Sequence, residues 1–203
     1  MTSDSYDELD RSFLRVLRSI GLANDLDETL AAELAADIDA TDVDQRRIKV
    51  LMRYYRAAGD SERARERMRR DRFFLHRATD RVTAHELVSR LAELTEELPL
   101  AKLQRIGSDD GPLVLRAGDD FSAIHDDELD ELQSEDTVAV NGIVQAFNSL
   151  IARSNLPFRF LPLLGTDEFE PYVALQRDAM IVMANAGCLE RWGLDALNEF
   201  ALW

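Results

Sequence analysis

The spacing of apolar residues along this chain changes near Gly107. Before that point apolar residues recur every three or four positions, and this pattern predicts five amphipathic helices. After it, short apolar runs alternate with clusters of Gly, Ser and Asp, which is typical of strands joined by turns. The sequence therefore predicts an α+β fold, with a mainly helical N-terminal half followed by a small three-stranded sheet with packed helices.

Capping and stop signals place the five N-terminal helices. Gly21 and Gly59 are expected to end the first and third helices, and Pro99 to end or kink the fifth before Leu103 and Ile106. The capping boxes Ser5-x-x-Glu8 and Thr83-x-x-Glu86 are expected to start the first and fifth helices. Polar capping residues are expected to start the others: Asn24 or Asp25 the second, Asp42 the third, and Asp60 or Ser61 the fourth. The fourth helix is expected to turn Ala64, Met68, Phe73, Phe74 and Leu75 inward.

The second half of the chain is predicted to contain both strands and helices. Strands are expected at Leu113–Leu115, Phe158–Leu164 and Tyr172–Leu175, and helices at Thr137–Ser154, at Arg177–Ala186 and from Leu194. We expect a helical bundle-like region at 1–106 and an α+β region at 107–203, which can also form one continuous domain. The apolar stripe of Leu194, Leu197, Phe200 and Trp203 is expected either to dock on its own core or to enter a groove of a partner.

Six positions in the third and fourth helices resemble the turn and packing positions of a tetratricopeptide repeat. They are Leu51, Tyr55, Gly59, Asp60, Ala64 and Met68. The pattern occurs once, whereas a solenoid needs about three stacked repeats to bury its faces. The resemblance therefore implies a helical hairpin, and no function is taken from it.

The overall charge of the chain limits the classes of partner. With 24 basic and 39 acidic residues the formal net charge is −15, which disfavours nonspecific binding to nucleic acid or anionic lipid. No apolar stretch approaches the ~20 residues of a membrane span, and the first residues lack the features of a signal peptide. The single cysteine, Cys188, cannot form an internal disulfide and is expected to be buried and inert. These features predict a cytoplasmic protein without a membrane partner.

The charge is also segregated along the chain. The run Ser61–Arg81 holds eight arginines against four acids, while Gly107–Asp136 holds eleven acids against one arginine. Arginines of the fourth helix are the predicted partner-binding residues, and the expected partner is a protein with an acidic surface or a second copy of this chain. Those residues are Arg63, Arg67, Arg69, Arg70 and Arg72. The alternatives are a solvated or self-paired face, because Glu62, Glu66 and Asp71 lie within reach, and a nucleic-acid-binding helix.

The sequence contains few features that are typical of an active site. The histidines His76, His85 and His125 lie on separate segments without zinc-ligand spacing, and neither a phosphate-binding loop nor a nucleophile elbow occurs. No catalytic residue, metal site or cofactor is predicted, and the acidic block suits solvated turns, a docking strip or a cation site. The favoured function is a non-catalytic protein-interaction or regulatory protein. An enzyme acting near Asp119, Asp120, His125 and Asp167, in the loops of the C-terminal sheet, and a nucleic-acid-binding regulator are the alternatives.

Overall fold

The structure of the protein is a computed structural model. It describes residues 3–38, 42–56, 61–77, 84–98, 101–106, 113–124, 140–166 and 168–189. Within these ranges lie seven helices and two three-stranded antiparallel sheets. The predicted α+β class is therefore confirmed. No helix in the described ranges combines the length and apolar character needed to cross a membrane.

The elements follow one another as α1 (Ser3–Ser19), α2 (Glu28–Ala35), α3 (Val43–Arg56), α4 (Ser61–Asp71), β1 (Phe73–Arg77), α5 (Ala84–Glu93), β2 (Ala101–Arg105), β3 (Leu113–Ala117), β4 (Asp120–Ala123), α6 (Val140–Arg153), β5 (Phe158–Pro162), β6 (Phe169–Gln176) and α7 (Arg177–Asn185). The described residues of Met1–Ala78 and Leu161–Leu202 form one compact unit, and those of Thr79–Phe160 form a second. The boundary expected near residue 106 stays a prediction.

In the first unit, the helices surround a core built from residues far apart in the chain. This unit contains strands β1 and β6, and β1 runs antiparallel to β6 with Phe73 opposite Val173. The Tyr55 ring of α3 stacks on Phe73, with centroids 3.9 Å apart. The buried core of this unit also includes Phe13, Leu17, Leu22, Leu26, Ile48, Leu51, Leu161, Val173, Met180 and Met183.

The predicted helix boundaries of this unit need small corrections. The second helix begins later than Asn24 or Asp25, because Asp27 is its N-cap and accepts a hydrogen bond from the Leu30 N–H at 2.8 Å. Gly21 adopts φ +75 just after α1, as its predicted role in ending that helix requires. Asp42 accepts the hydrogen bond of the Asp44 N–H at 2.8 Å and so starts α3 as expected.

The fourth predicted helix is too long. Residues Phe73, Phe74 and Leu75 belong to β1 rather than to α4, which ends at Asp71. Arg72 adopts the left-handed φ of +49, which stops the helix, and its carbonyl accepts a hydrogen bond from the Ala174 N–H at 3.0 Å. The chain thereby enters a sheet instead of a further helical turn.

The second unit contains the other sheet, with the order β2-β3-β4. The sequence predicts a single sheet, whereas the described residues form two. Of the three strands in this second sheet, the sequence predicts only β3, the middle one. Strand β2 lies where helix was expected, with Leu103 opposite Leu115 on β3. Strand β4 follows a two-residue loop in which Gly118 has φ +63, a conformation that tight hairpins require. Helix α5 ends at Glu93, earlier than the predicted Leu98.

Candidate functional site: the arginine-rich helix

Helix α4 turns one narrow side toward the core of the first unit. Met68 packs against that core, Ala64 is half-buried and Asp71 is buried. The exposed residues of the helix are Glu62, Arg63, Arg65, Glu66, Arg69 and Arg70. The basic run is therefore a surface helix, as its charge predicts.

Asp71, the last residue of α4, attaches the helix to the rest of the unit. Its side chain is 1% exposed. Its Oδ2 accepts hydrogen bonds from the Tyr55 hydroxyl at 2.7 Å and from the Ala23 backbone N–H at 3.1 Å. Its Oδ1 accepts one from Arg70 Nε at 2.8 Å. Because a buried carboxylate is costly unless it is paired and hydrogen-bonded, Asp71 is a structural anchor.

The hydroxyl of Tyr55 is suited to remain the donor in this network. Burial, followed by the negative charge of Asp71, raises the pKa of Tyr55 well above its ordinary value. Ionisation of the phenol is therefore disfavoured, and the proton stays on the Tyr55 oxygen, which donates it to the Asp71 carboxylate.

Arg70 binds three residues of its own chain. In addition to Asp71, its Nη1 donates to Asp25 Oδ2 at 2.7 Å and its Nη2 donates to the Tyr54 hydroxyl at 3.3 Å. The hydrogen bond from Arg70 is the main reason that the pKa of Asp25 is lowered, and the two carboxylates together raise the pKa of Arg70. The guanidinium group is thus largely used inside the fold, although its side chain is 44% exposed.

Arg67 is also turned toward its own unit. Its guanidinium carbon lies 4.5 Å from the centroid of the Tyr54 ring, and Nη1 donates to the Tyr54 carbonyl at 3.2 Å. The side chain is half-buried. A cation over an aromatic face with a backbone hydrogen bond is a packing interaction that fixes α4 against α3.

The structure therefore separates the five predicted site residues. Arg63 and Arg69 are exposed on α4, and Arg72 is half-buried in the turn that follows it. Arg67 and Arg70 make the intramolecular contacts described above, and partner binding by the five arginines stays a prediction. The local sequence gives no sign of these contacts, because Asp25 lies in the turn between α1 and α2 and Tyr54 lies on α3, beyond the local acids that the sequence could weigh.

The exposed face of α4 carries charges of both signs. Glu62 and Glu66, spaced four residues apart, form one row along the helix, and Arg65 and Arg69 form the neighbouring row. Arg63 lies on the other side of the acidic row. This alternation gives the face a pattern of charge rather than a uniformly positive field.

The residues of the enzyme alternative are only partly described. Asp119 is exposed in the hairpin loop of the second unit and Asp120 is exposed at the start of β4, while His125 and Asp167 lie outside the described residues. Most of the acidic block and the C-terminal stripe from Leu194 lie outside them as well. Within the described ranges no cluster of three or more His, Cys, Asp or Glu side chains is arranged to hold a metal ion.

The cysteine and two of the histidines that the sequence offered for chemistry lie on described segments. Cys188 is buried, as predicted, its Sγ donates to the Ala186 carbonyl at 3.4 Å, and burial raises its pKa to about 12, while its inertness stays a prediction. His76 is buried on β1 opposite Glu170 of β6, and His85 is exposed on α5.

A cleft that the sequence did not indicate lies in the first unit, between the residues that follow α2, helix α3, and the segment that leads into the start of β6. Its volume is about 830 Å³. Lys49, Arg53 and Arg56 line one wall from positions i, i+4 and i+7 of α3. That spacing was visible in the sequence, but the opposing wall comes from residues more than a hundred positions away. Neither Asp119 nor Asp120 lines this cleft.

Comparison of the chain with protein-family models, with curated proteins and with solved structures gives no match.

Proposed function

We propose that this chain is a non-catalytic interaction protein whose helix α4 docks on a protein partner with an acidic surface, or on a second copy of the chain. The observation that carries the proposal is a charged helix face held rigidly to its unit. Arg63, Arg65 and Arg69 are exposed on it, while Asp71 and Arg70 fix its C-terminal end through Tyr55 and Asp25. A pre-ordered face loses less side-chain and backbone freedom on binding.

The alternating rows on α4 favour a protein partner over nucleic acid. A phosphate backbone presents one sign of charge, so that Glu62 and Glu66 would repel it at the same positions where Arg65 and Arg69 attract it. An acidic protein surface that also carries basic side chains can match both rows, and mixed charges of this kind contribute mainly to specificity and association rate. The expected cytoplasmic location belongs to this proposal.

The proposal is tested by reversing one charge row. The double variant Arg65→Glu with Arg69→Glu leaves the anchor residues intact, and Arg15→Glu with Arg90→Glu is a control with the same change in net charge at other exposed sites. We expect the wild type and the control, but not the α4 variant, to retain the same cross-linked partner at low salt. Sedimentation velocity of the purified proteins distinguishes a second copy of the chain from another protein.

Equal partner capture and equal self-association by all three proteins would contradict the proposal. A mobility shift of DNA or RNA at low salt that disappears in the α4 variant would replace it with the nucleic-acid alternative. Such binding would weaken steeply as salt rises, because each phosphate contact releases counterions.

A further inference from the structure

The cleft of the first unit is lined by two half-buried cations, one exposed cation and exposed carboxylates. Lys49 and Arg53 are half-buried on the α3 wall and Arg56 is exposed, while the acidic residues among the described lining are exposed. Those acids are Asp37, Glu168 and Glu170. Exposed charges are screened by solvent and salt over a few ångströms more effectively than partly buried ones. The formal charges of the described lining residues cancel, and Lys49 and Arg53, as the partly buried ones, are screened less than the exposed carboxylates.

Two of the cations are held in place by contacts of their own. Arg53 donates to the Leu34 carbonyl through Nη1 at 2.7 Å, which orients its guanidinium group at the wall. The guanidinium carbon of Arg56 lies 4.2 Å from the centroid of the Phe169 ring. Lys49 lies one helical turn before Arg53, and its flexible ammonium group can reach the same ligand.

Apolar side chains also line the cleft. Met52 and Phe169 are buried and Ile38 is half-buried, and all three contribute to the lining. The opposing wall is fixed by Gln45, whose Nε2 donates to the Gly165 carbonyl at 3.3 Å. A cleft of about 830 Å³ lies within the range of roughly 300–1,000 Å³ that is usual for small-molecule sites.

From this arrangement we propose that the cleft binds a small organic anion that combines an oxyanion with an apolar group. The oxyanion lies against Lys49 and Arg53, where charge-assisted hydrogen bonds to a carboxylate or a phosphate form. The apolar group contacts Met52 and Ile38. This site is separate from the face of α4 and does not depend on the function proposed for that helix.

The chain offers an internal control, because Lys49 and Lys102 are its only lysines. Reductive ¹³C-methylation keeps the positive charge and gives each lysine its own NMR signal, and Lys49→Arg assigns the signals. Lys102 is exposed on β2 in the second unit. The full-length protein is titrated with benzoate, phenyl phosphate, benzyl alcohol and benzamidinium.

We expect benzoate or phenyl phosphate to shift the Lys49 signal saturably, with a Kd of about 1 mM that is ordinary for fragments of this size, while the Lys102 signal stays in place. Whichever of benzoate and phenyl phosphate has the lower Kd shows whether the cleft prefers a carboxylate or a phosphate. In ligand-observed saturation-transfer spectra, Lys49→Gln is expected to weaken binding at least about fivefold, since one charged hydrogen bond is lost, whereas Lys102→Gln has no effect.

Three results would overturn the proposal. In the first, the Lys49 signal does not move with either anion. In the second, both lysine signals drift equally and without saturation. In the third, benzyl alcohol or benzamidinium binds as well as the anions do. Circular dichroism of the Lys49→Gln variant verifies that it is folded before its loss of binding counts in favour of the site.

Discussion

Tyr55 donates a hydrogen bond of 2.7 Å to the buried carboxylate of Asp71, and this bond joins the middle of the hydrophobic core to the last residue of the arginine-rich helix. The same tyrosine ring stacks on Phe73, the first residue of β1. One side chain therefore supports both the end of α4 and the start of the strand that follows. The position of the proposed docking face depends on this junction.

Removal of the Tyr55 hydroxyl should destabilise the protein while leaving the ring stacking intact. A hydrogen bond to a charged group is worth about 1.5–3 kcal/mol, so we expect Tyr55→Phe to lower the free energy of unfolding by that amount. Tyr54→Phe is the matched control, because its hydroxyl accepts one longer bond of 3.3 Å from Arg70 and should cost about 1 kcal/mol or less. Urea denaturation followed by circular dichroism measures both, and equal losses would argue against the anchor.

The ion pair between Asp25 and Arg70 should make stability depend on pH. Because the pKa of Asp25 is lowered below its ordinary value of 3.8 in the folded protein, its contribution is present above that value and is lost as pH falls through the folded pKa. We expect wild type to melt above Asp25→Asn at pH 7, with the difference fading below pH about 4.

The effect should be modest and should shrink with added salt, since the side chain of Asp25 is 59% exposed. Glu33→Gln, at an exposed position of α2, is the control for removal of one acidic charge. A difference between wild type and Asp25→Asn that persists unchanged at pH 2 would contradict this assignment.

The two glycines that end α1 and α7 should respond differently to alanine. Both have left-handed backbones, with φ +75 at Gly21 and φ +72 at Gly187. A Cβ at Gly21 meets nothing within 4 Å, whereas one at Gly187 lies 2.7 Å from Asp44 Oδ2. Arg47 holds that carboxylate at 3.1 Å.

We therefore expect Gly21→Ala to cost about 1–2 kcal/mol from backbone strain alone, and Gly187→Ala to cost more, about 2–4 kcal/mol, because overpacking is added. Chemical denaturation of the two variants gives the comparison. A loss at Gly187 no larger than at Gly21 would mean that Asp44 moves aside without cost.

The sequence predicted the helices well because their signals are local. The apolar spacing of α1, α3 and α6, and the glycine after α1, are readable within a few turns of chain. Strand β1 was missed because its residues, from Phe73 to Arg77, also continue a helical pattern. Their pairing with β6, about a hundred residues later, is a tertiary effect that overrides local preference.

The same distinction explains the candidate site. The sequence could weigh Glu62, Glu66 and Asp71 as neighbours of the arginines, since they lie within one helical turn. It could not place Asp25, which is 45 positions from Arg70, or the tyrosines of α3 beneath the helix. Asp71 and Asp25 hold Arg70, and Tyr54 holds Arg67.

Cys188 offers the simplest check of the core of the first unit. It is the only cysteine of the chain, and burial raises the pKa of its thiol to about 12, so almost no reactive thiolate forms near neutral pH. We expect a thiol-specific reagent at pH 8 to modify the folded protein at least about a hundredfold more slowly than the protein in urea, because modification requires the core to open.

The reaction is followed by absorbance, with free cysteine in both solvents as the control for reagent reactivity. Modification of the folded protein at the rate seen in urea would show that the thiol is accessible and that the packing of α7 against this core is wrong.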